Sequence, residues 1–275
     1  MLRFLRTNKL ERYIKKQPLL FYFLSEYLAK INFLLPYEDD WFFFKKIKLN
    51  EKTIILDIGS HIGESVKTFR KFFNNEIYCF EPNKRSFKKL KNNLRFDNRI
   101  KLFNYGISST SQKVLYTPKY NEYFIDMLSS SSLNASKQNL KRININQEHI
   151  NFVREKLIFK KKINLKKKIS ILKIDVEGSE FEVLSSCKNL ILKDKPLLFI
   201  EYHKNNFKKI ISKFKNYQAY YYNHKKKEIF KINSILQVSK ILKLLNREDK
   251  AFNFIMIPKE KKKKENISFN NFKII

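Results

Sequence analysis

Three times along this chain an apolar, β-branched run stops at a glycine and gives way to polar or helix-forming sequence. The runs are I-L-D-I-G-S-H-I-G, with Gly59 and Gly63, F-N-Y-G-I-S, with Gly106, and I-L-K-I-D-V-E-G-S-E, with Gly178. Between them they hold all four glycines of the 275 residues. Glycine tolerates a positive φ and a close approach by another group. A chain that uses it nowhere else marks three strand ends where something comes close. In open α/β sheets the carboxyl ends of the strands, at a topological switch point, are where ligands bind.

The sequence around these points alternates strand and helix. Thr53–Ile58 reads as a buried strand, followed by Ile62, Val66, Phe69 and Phe73 at helical spacing. Glu76–Phe80 is the next strand, and Asn83 is placed to cap a helix with Phe87, Leu90 and Leu94 on its apolar face. Ile100–Tyr105, Ile169–Ile174 and Leu197–Ile200 are further strands. Ser179 and Glu182 have capping-box spacing for a helix running through Leu190. Tyr217–Tyr222 and Glu228–Ile232 read as an antiparallel hairpin, and Phe252–Ile257 as a last strand stopped by Pro258. Strand–helix alternation predicts an α/β fold with a doubly wound, mostly parallel sheet, right-handed crossovers and an antiparallel C-terminal strand.

The domain organisation expected from this pattern has four parts. Residues 1–50 form a helical, aromatic-rich N-terminal cap that packs on the sheet, with an interfacial membrane contact as the alternative. Residues 51–258 form the α/β domain, and 107–168 are an insertion within it. Residues 259–275 are a basic tail expected to be disordered.

The 58 Lys and Arg against 26 Asp and Glu give a formal charge of +32, which raises nucleic acid as a partner. Most of that charge is lysine, whereas bidentate phosphate and base recognition favours arginine. The reading is therefore a solvated lysine surface with no nucleic acid expected. An anionic small molecule, an acidic glycan or an anionic membrane surface stays open. Cys79 and Cys187 fall on apolar faces without metal-type spacing, which suggests a reducing compartment. With no convincing secretory signal, and with Glu26 and Lys30 interrupting the Leu19–Leu35 stretch, a cytoplasmic location is expected.

The strand ends carry the chemistry. Asp57 precedes a glycine turn that opens a helix, and helix N-terminal amides suit an anionic group. The spacing is not the dinucleotide G-x-G-x-x-G pattern. Glu81 ends the second strand, 22 residues after Gly59, where an acidic side chain bonds a ribose hydroxyl pair. Asp175 and Glu177 end the fourth core strand and face the same cleft. S-adenosyl-L-methionine combines an amino-acid end, a ribose and a sulfonium, and so suits this set.

The ordered segments I-L-D-I-G-S-H-I-G, C-F-E-P-N, N-Y-G-I-S, S-S-S-L, L-K-I-D-V-E-G-S-E-F-E-V-L and P-L-L-F-I-E-Y-H resemble the FkbM-type methyltransferase family. The resemblance spans roughly Thr53 to His203. It implies a class I, Rossmann-like fold and S-adenosylmethionine-dependent methyl transfer to a hydroxyl, commonly on a sugar or a polyketide. It implies cofactor roles for Asp57, Gly59, Ser60, Gly63 and Glu81, with Asn104 and Gly106 along the adenine side. Between Leu133 and Ile169 this chain is lysine-rich where family members often carry a short acidic segment.

Asp175, Glu177 and His203 are the candidate catalytic residues, with His203 as the base because imidazole titrates near neutrality. The structural alternative for His203 is a loop residue bonded to backbone. No metal site is assigned, although Asp175, Glu177, Glu201 and His203 offer hard oxygens and an imidazole. Ser129–Ser132 is either an acceptor loop or a linker. The expected acceptor is a small molecule or glycan, on a surface polysaccharide or its nucleotide-linked precursor. The rivals are a nucleic-acid methyltransferase and a non-catalytic basic RNA-binding protein on the same fold.

Overall fold

The computed structural model describes residues 39–108, 112–120, 125–126, 150–160, 165–176, 178–223, 227–234, 237–238, 241, 253–260 and 273–274. The first strands are β1 (Ile54–Ile58), β2 (Glu76–Phe80) and β3 (Ile100–Phe103), all mutually parallel. Helix α1 (Glu64–Arg70) follows β1, and α2 (Lys84–Leu94) follows β2. After an added segment come β8 (Ile169–Ile174), α3 (Glu180–Ser186), α4 (Lys188–Asp194), β9 (Leu197–Glu201) and α5 (Lys204–Lys213). The chain then adds β10 (Tyr217–Asn223), β11 (Glu228–Ile232), β12 (Asn253–Pro258) and β13 (Lys273–Ile274).

These strands make one sheet in the order β13-β11-β10-β12-β9-β8-β1-β2-β3. The order reverses at β1, with β2 on one side and β8 on the other. That reversal is the switch point at which doubly wound sheets open a crevice. Strand β12 inserts antiparallel between β9 and β10, and β10 and β11 form the expected hairpin. The last pairing is unexpected, since Lys273–Ile274 run parallel to β11.

Alternation along the buried strands sends side chains to two cores. Ile54, Leu56 and Ile58 join Leu172, Ile174, Val183, Leu184 and Phe207 on one face. Ile55, Ile77 and Ile171 join Val66, Phe69, Leu90 and Leu94 on the other. A strand covered by helices on both sides has no solvent face, which is why β1, β8 and β9 read as continuous apolar runs.

The N-terminal aromatic stretch lies on the second face. Asp39–Lys46 is a 3-10 helix, and its Trp41 ring meets Phe69 at 4.9 Å and Phe199 at 4.8 Å. Phe44 lies 4.9 Å from Phe199, and Asp40 accepts the backbone N–H of Asn253 at 2.7 Å. The segment therefore covers a sheet face.

The insertion builds a second sheet. β4 (Gly106–Ile107), β5 (Gln112–Tyr120), β6 (Ile125–Asp126) and β7 (Ile150–Lys160) pair in the order β4-β7-β5-β6. The short strand expected at Val114–Tyr116 is part of a nine-residue strand in a long antiparallel pair with β7. Ser129–Ser132, His149 and His224 lie outside the described residues. Among the described residues, no helix is long and apolar enough to cross a membrane.

Candidate active site

Past Ile58 the chain turns sharply. The N–H groups of Gly59 and Ser60 both donate to the Phe80 carbonyl, at 3.0 and 3.2 Å. Ser60 Oγ donates to the Asp57 carbonyl at 2.8 Å, and Gly63 N–H closes on the Ser60 carbonyl at 2.8 Å. Gly59 has φ +81, and a Cβ there would sit 1.8 Å from the carbonyl oxygen of Asp175. The end of β8 can lie against β1 only because residue 59 has no side chain. Gly63, with φ +95, faces Leu90 and Leu94, whose Cδ1 atoms would lie 3.0 and 3.1 Å from an added Cβ. The neighbours that constrain these two glycines belong to the protein: the β8 end for one and α2 for the other.

Beneath this turn lies a charged group that the sequence reading missed. Register places Asp57 beside Lys173 on neighbouring parallel strands, and both lie on the α1–α2 face by alternation with Ile55 and Ile171. Lys173 is 2% exposed and Asp57 is 0% exposed. The Lys173 ammonium donates to the Gly59 carbonyl at 2.8 Å and lies 3.1 Å from Asp57 Oδ1 and 3.4 Å from Asp175 Oδ2. Ser65 Oγ, from α1, donates to Asp57 Oδ2. Burial by itself drives an ammonium towards neutrality, but Asp57 and Asp175 outweigh it and hold Lys173 above its ordinary value. The resemblance implies a cofactor role for Asp57, but in the structure its carboxylate pairs with Lys173. The signal was a single charged residue, Lys173, in the mostly apolar β8, one strand across from a single aspartate in β1.

Glu81 closes the neighbouring strand end. Its Oε2 accepts the His61 N–H at 2.9 Å and its Oε1 accepts the Asn83 N–H at 2.8 Å. The Asn104 amide donates to the Glu81 carbonyl at 2.9 Å, tying the end of β3 to that of β2. Gly106 is buried and opens β4. Burial raises the Glu81 carboxyl to about 7, against the pull of the two N–H groups. His61 has φ 48, and burial lowers its imidazole to about 4, so it is neutral at physiological pH. Two side-chain nitrogens here, His61 Nε2 and Asn83 Nδ2, are buried without a hydrogen-bond partner. Asn83 uses its oxygen to cap α2, accepting from Arg85 N–H at 2.9 Å and Ser86 N–H at 3.0 Å.

On the other side of Asp175 a second polar group forms. His203 Nε2 lies 2.9 Å from Glu201 Oε2 and 3.6 Å from Glu180 Oε1. Glu180 is fully buried, and its oxygens accept from Gly178 N–H and the Asn206 amide, each at 2.8 Å. Glu180, Glu201 and His203 bring their ligand-type atoms within 4.8 Å of one another. The catalytic residues expected to gather here were Asp175, Glu177 and His203. Asp175 turns instead to Lys173, Glu180 completes the group, and Glu177 lies outside the described residues.

The capping box did not form. Ser179 makes no side-chain cap bond, and Glu182, which would complete the box, accepts the Ser108 hydroxyl just past β4. The expected helix to Leu190 is divided into α3 and α4 at Cys187, which has ψ 2.

The glycine turn, the buried Lys173 and the carboxylates at three adjacent strand ends define a doubly wound α/β domain with its site at the switch point. The profile described as "Methyltransferase FkbM domain" matches residues 57–222, and the chain belongs to that family. No curated protein matches the chain. Among solved structures it is similar to the methyltransferase FkbM from Methylobacillus flagellatus KT, at 16% identity and TM-score 0.45. That match covers 77% of this chain and 44% of the other, so it spans less than half of the relative's length. It is also similar to an rRNA methylase from Streptococcus thermophilus, at 10% identity and TM-score 0.43 over 81% of this chain and 96% of that one. A third, SMU.1697c from Streptococcus mutans, was solved in complex with SAH and matches at 10% identity and TM-score 0.37, over 78% and 93% of the two chains.

Proposed function

We propose that this chain is an S-adenosylmethionine-dependent O-methyltransferase acting on a hydroxyl of a sugar, in a surface glycan or its nucleotide-linked precursor. Membership of the FkbM family supports the reaction class. The observation that carries the donor assignment is the composition of the switch point. Glu81 stands at the end of β2 with its carboxyl group fixed by two N–H donors, beside the buried, unpartnered His61 Nε2 and Asn83 Nδ2. A nucleoside with ribose hydroxyls and ring nitrogens offers partners to such groups. Orphaned buried polar atoms are rare in native structures without a functional reason. These residues therefore fit the donor.

When bound, the donor supplies a methyl carbon activated by a positively charged sulfur. Glu81 is assigned to the ribose and the turn Gly59–Gly63 to the amino-acid end. Asp175, 37% exposed where Asp57 is sealed, presents negative charge at the rim. Holding two reactants in line removes a large entropic cost from the barrier. The acceptor hydroxyl would lose its proton as its oxygen takes the methyl group, the electron pair of the broken carbon–sulfur bond staying on the departing sulfur. We assign receipt of that proton to the His203–Glu201 pair, at the end of the strand that neighbours β8.

The choice of oxygen as acceptor follows the β8 end, where the chain reads Asp175-Val-Glu-Gly and not the Asn-Pro-Pro-aromatic turn of amino-methylating enzymes. The test is methyl transfer from labelled donor to a panel of sugar nucleotides, oligosaccharides and RNA. Label entering a carbohydrate hydroxyl is expected. Label entering RNA alone would replace this reading with the nucleic-acid one.

A further inference from the structure

We infer that Lys173 sets the net charge of the donor site by cancelling one of its carboxylates, and so limits how strongly the site favours the cationic donor over the neutral product that the donor becomes. The inference deepens the proposed function and rests on it for the place of the donor. Three acceptors surround the ammonium: the carbonyl of the glycine turn, a sealed carboxylate and a carboxylate at the rim. Asp57 is 0% exposed, so Lys173 offsets a charge that never meets solvent. Asp175 is 37% exposed, so the remaining charge faces the ligand. One ammonium against two carboxylates leaves one negative charge at the rim. The donor carries a sulfonium in addition to its ammonium and carboxylate, a net charge of about +1, and it becomes neutral when the methyl group leaves.

A buried lysine in this place can be read as a structural pin alone, since it ties β1, β8 and the turn together. The two roles separate on one measurement. A pin acts on donor and product alike, because both carry the same nucleoside and amino-acid groups. A charge-setting residue acts on their ratio.

The experiment is calorimetric titration of S-adenosylmethionine and S-adenosylhomocysteine, at one pH and one low salt concentration, into four proteins. These are the wild type, Lys173→Met, Asp57→Asn and the double variant Asp57→Asn/Lys173→Met. Removing the ammonium adds net negative charge, so the preference for donor over product rises. Removing the Asp57 charge lowers it. The double variant restores the wild-type charge and brings the preference back. Each single step is expected to change the ratio on the order of ten-fold, the size of one unit charge acting a few ångströms away through a partly hydrated medium. If Lys173→Met does not fold, Asp57→Asn and the double variant still differ by the same single charge. Binding of both ligands at one unchanged ratio in every folded variant would overturn the inference and leave the donor site intact. Binding of neither ligand by the wild type would overturn the proposed function and this inference with it.

Discussion

Glu81 holds its carboxyl group at the end of β2, buried to 7% exposure and gripped by two backbone N–H groups. Burial raises it from 4.5 to about 7. An acid raised on folding keeps its proton longer in the native chain than in the unfolded one. Its contribution to stability is therefore complete below 4.5, declines as pH rises and is gone above about 7. Urea unfolding of the wild type against Glu81→Gln, run from pH 4.5 to 7.5, should reveal a relative loss of up to about 3 kcal/mol that the variant lacks. A second residue-scale prediction compares two glycines. Gly59 and Gly178 both have positive φ, at +81 and +100, but a Cβ meets Asp175 at 1.8 Å in one and nothing within 4 Å in the other. Gly178→Ala should cost about 1–2 kcal/mol, from backbone strain. Gly59→Ala must also part β1 from β8 and should cost about 3 kcal/mol or more. Equal melting temperatures for the two variants would contradict the packing described here. Gly59 was conspicuous in the sequence, but the identity of what approaches it was not, because Asp175 lies more than 100 residues away in the chain.

At the scale of elements, local chemistry was legible where it is short-range. Asn83 caps α2 as its spacing implied, and Asn83→Ala should lower stability by about 1 kcal/mol. The failed capping box at α3 shows the limit of such reasoning. Ser179 and Glu182 have the right spacing, but Glu182 is drawn to Ser108, 74 residues away in the chain. Tertiary partners outcompeted a local pattern. The 3-10 helix Asp39–Lys46 is another case, since no periodicity in its sequence names the sheet face it covers. Trp41, 2% exposed between Phe69 and Phe199, ties that segment to the domain. Trp41→Ala should cost about 3–5 kcal/mol by thermal unfolding. The site would then lose order only as far as the whole domain does, because Trp41 lies on a core face and not at the rim.

Across the whole molecule, strand order is what assembles the site. β2, β1 and β8 are neighbours, so Glu81, Asp57 and Asp175 arrive at one edge although 118 residues separate the first carboxylate from the last. A ligand held there binds only the folded state. At donor concentrations near 100 times Kd, the linkage amounts to about 2.7 kcal/mol, or roughly 5 °C in Tm for a chain of this length. The wild type should show that shift, and Gly59→Arg should not. Alternating strands and helices determined by themselves that the sheet would be doubly wound, and the glycines after β1 and β8 marked where its strand ends turn. Those features follow from backbone hydrogen bonding and hydrophobic period, which act over a few residues. Only the tertiary structure decided how the charges combine. Lys173 meets Asp57 through strand register, Glu180 at the start of α3 meets His203 just past the end of β9, and the insertion becomes a second sheet through pairing of distant segments. Such contacts depend on how elements stack, and no stretch of sequence contains both partners.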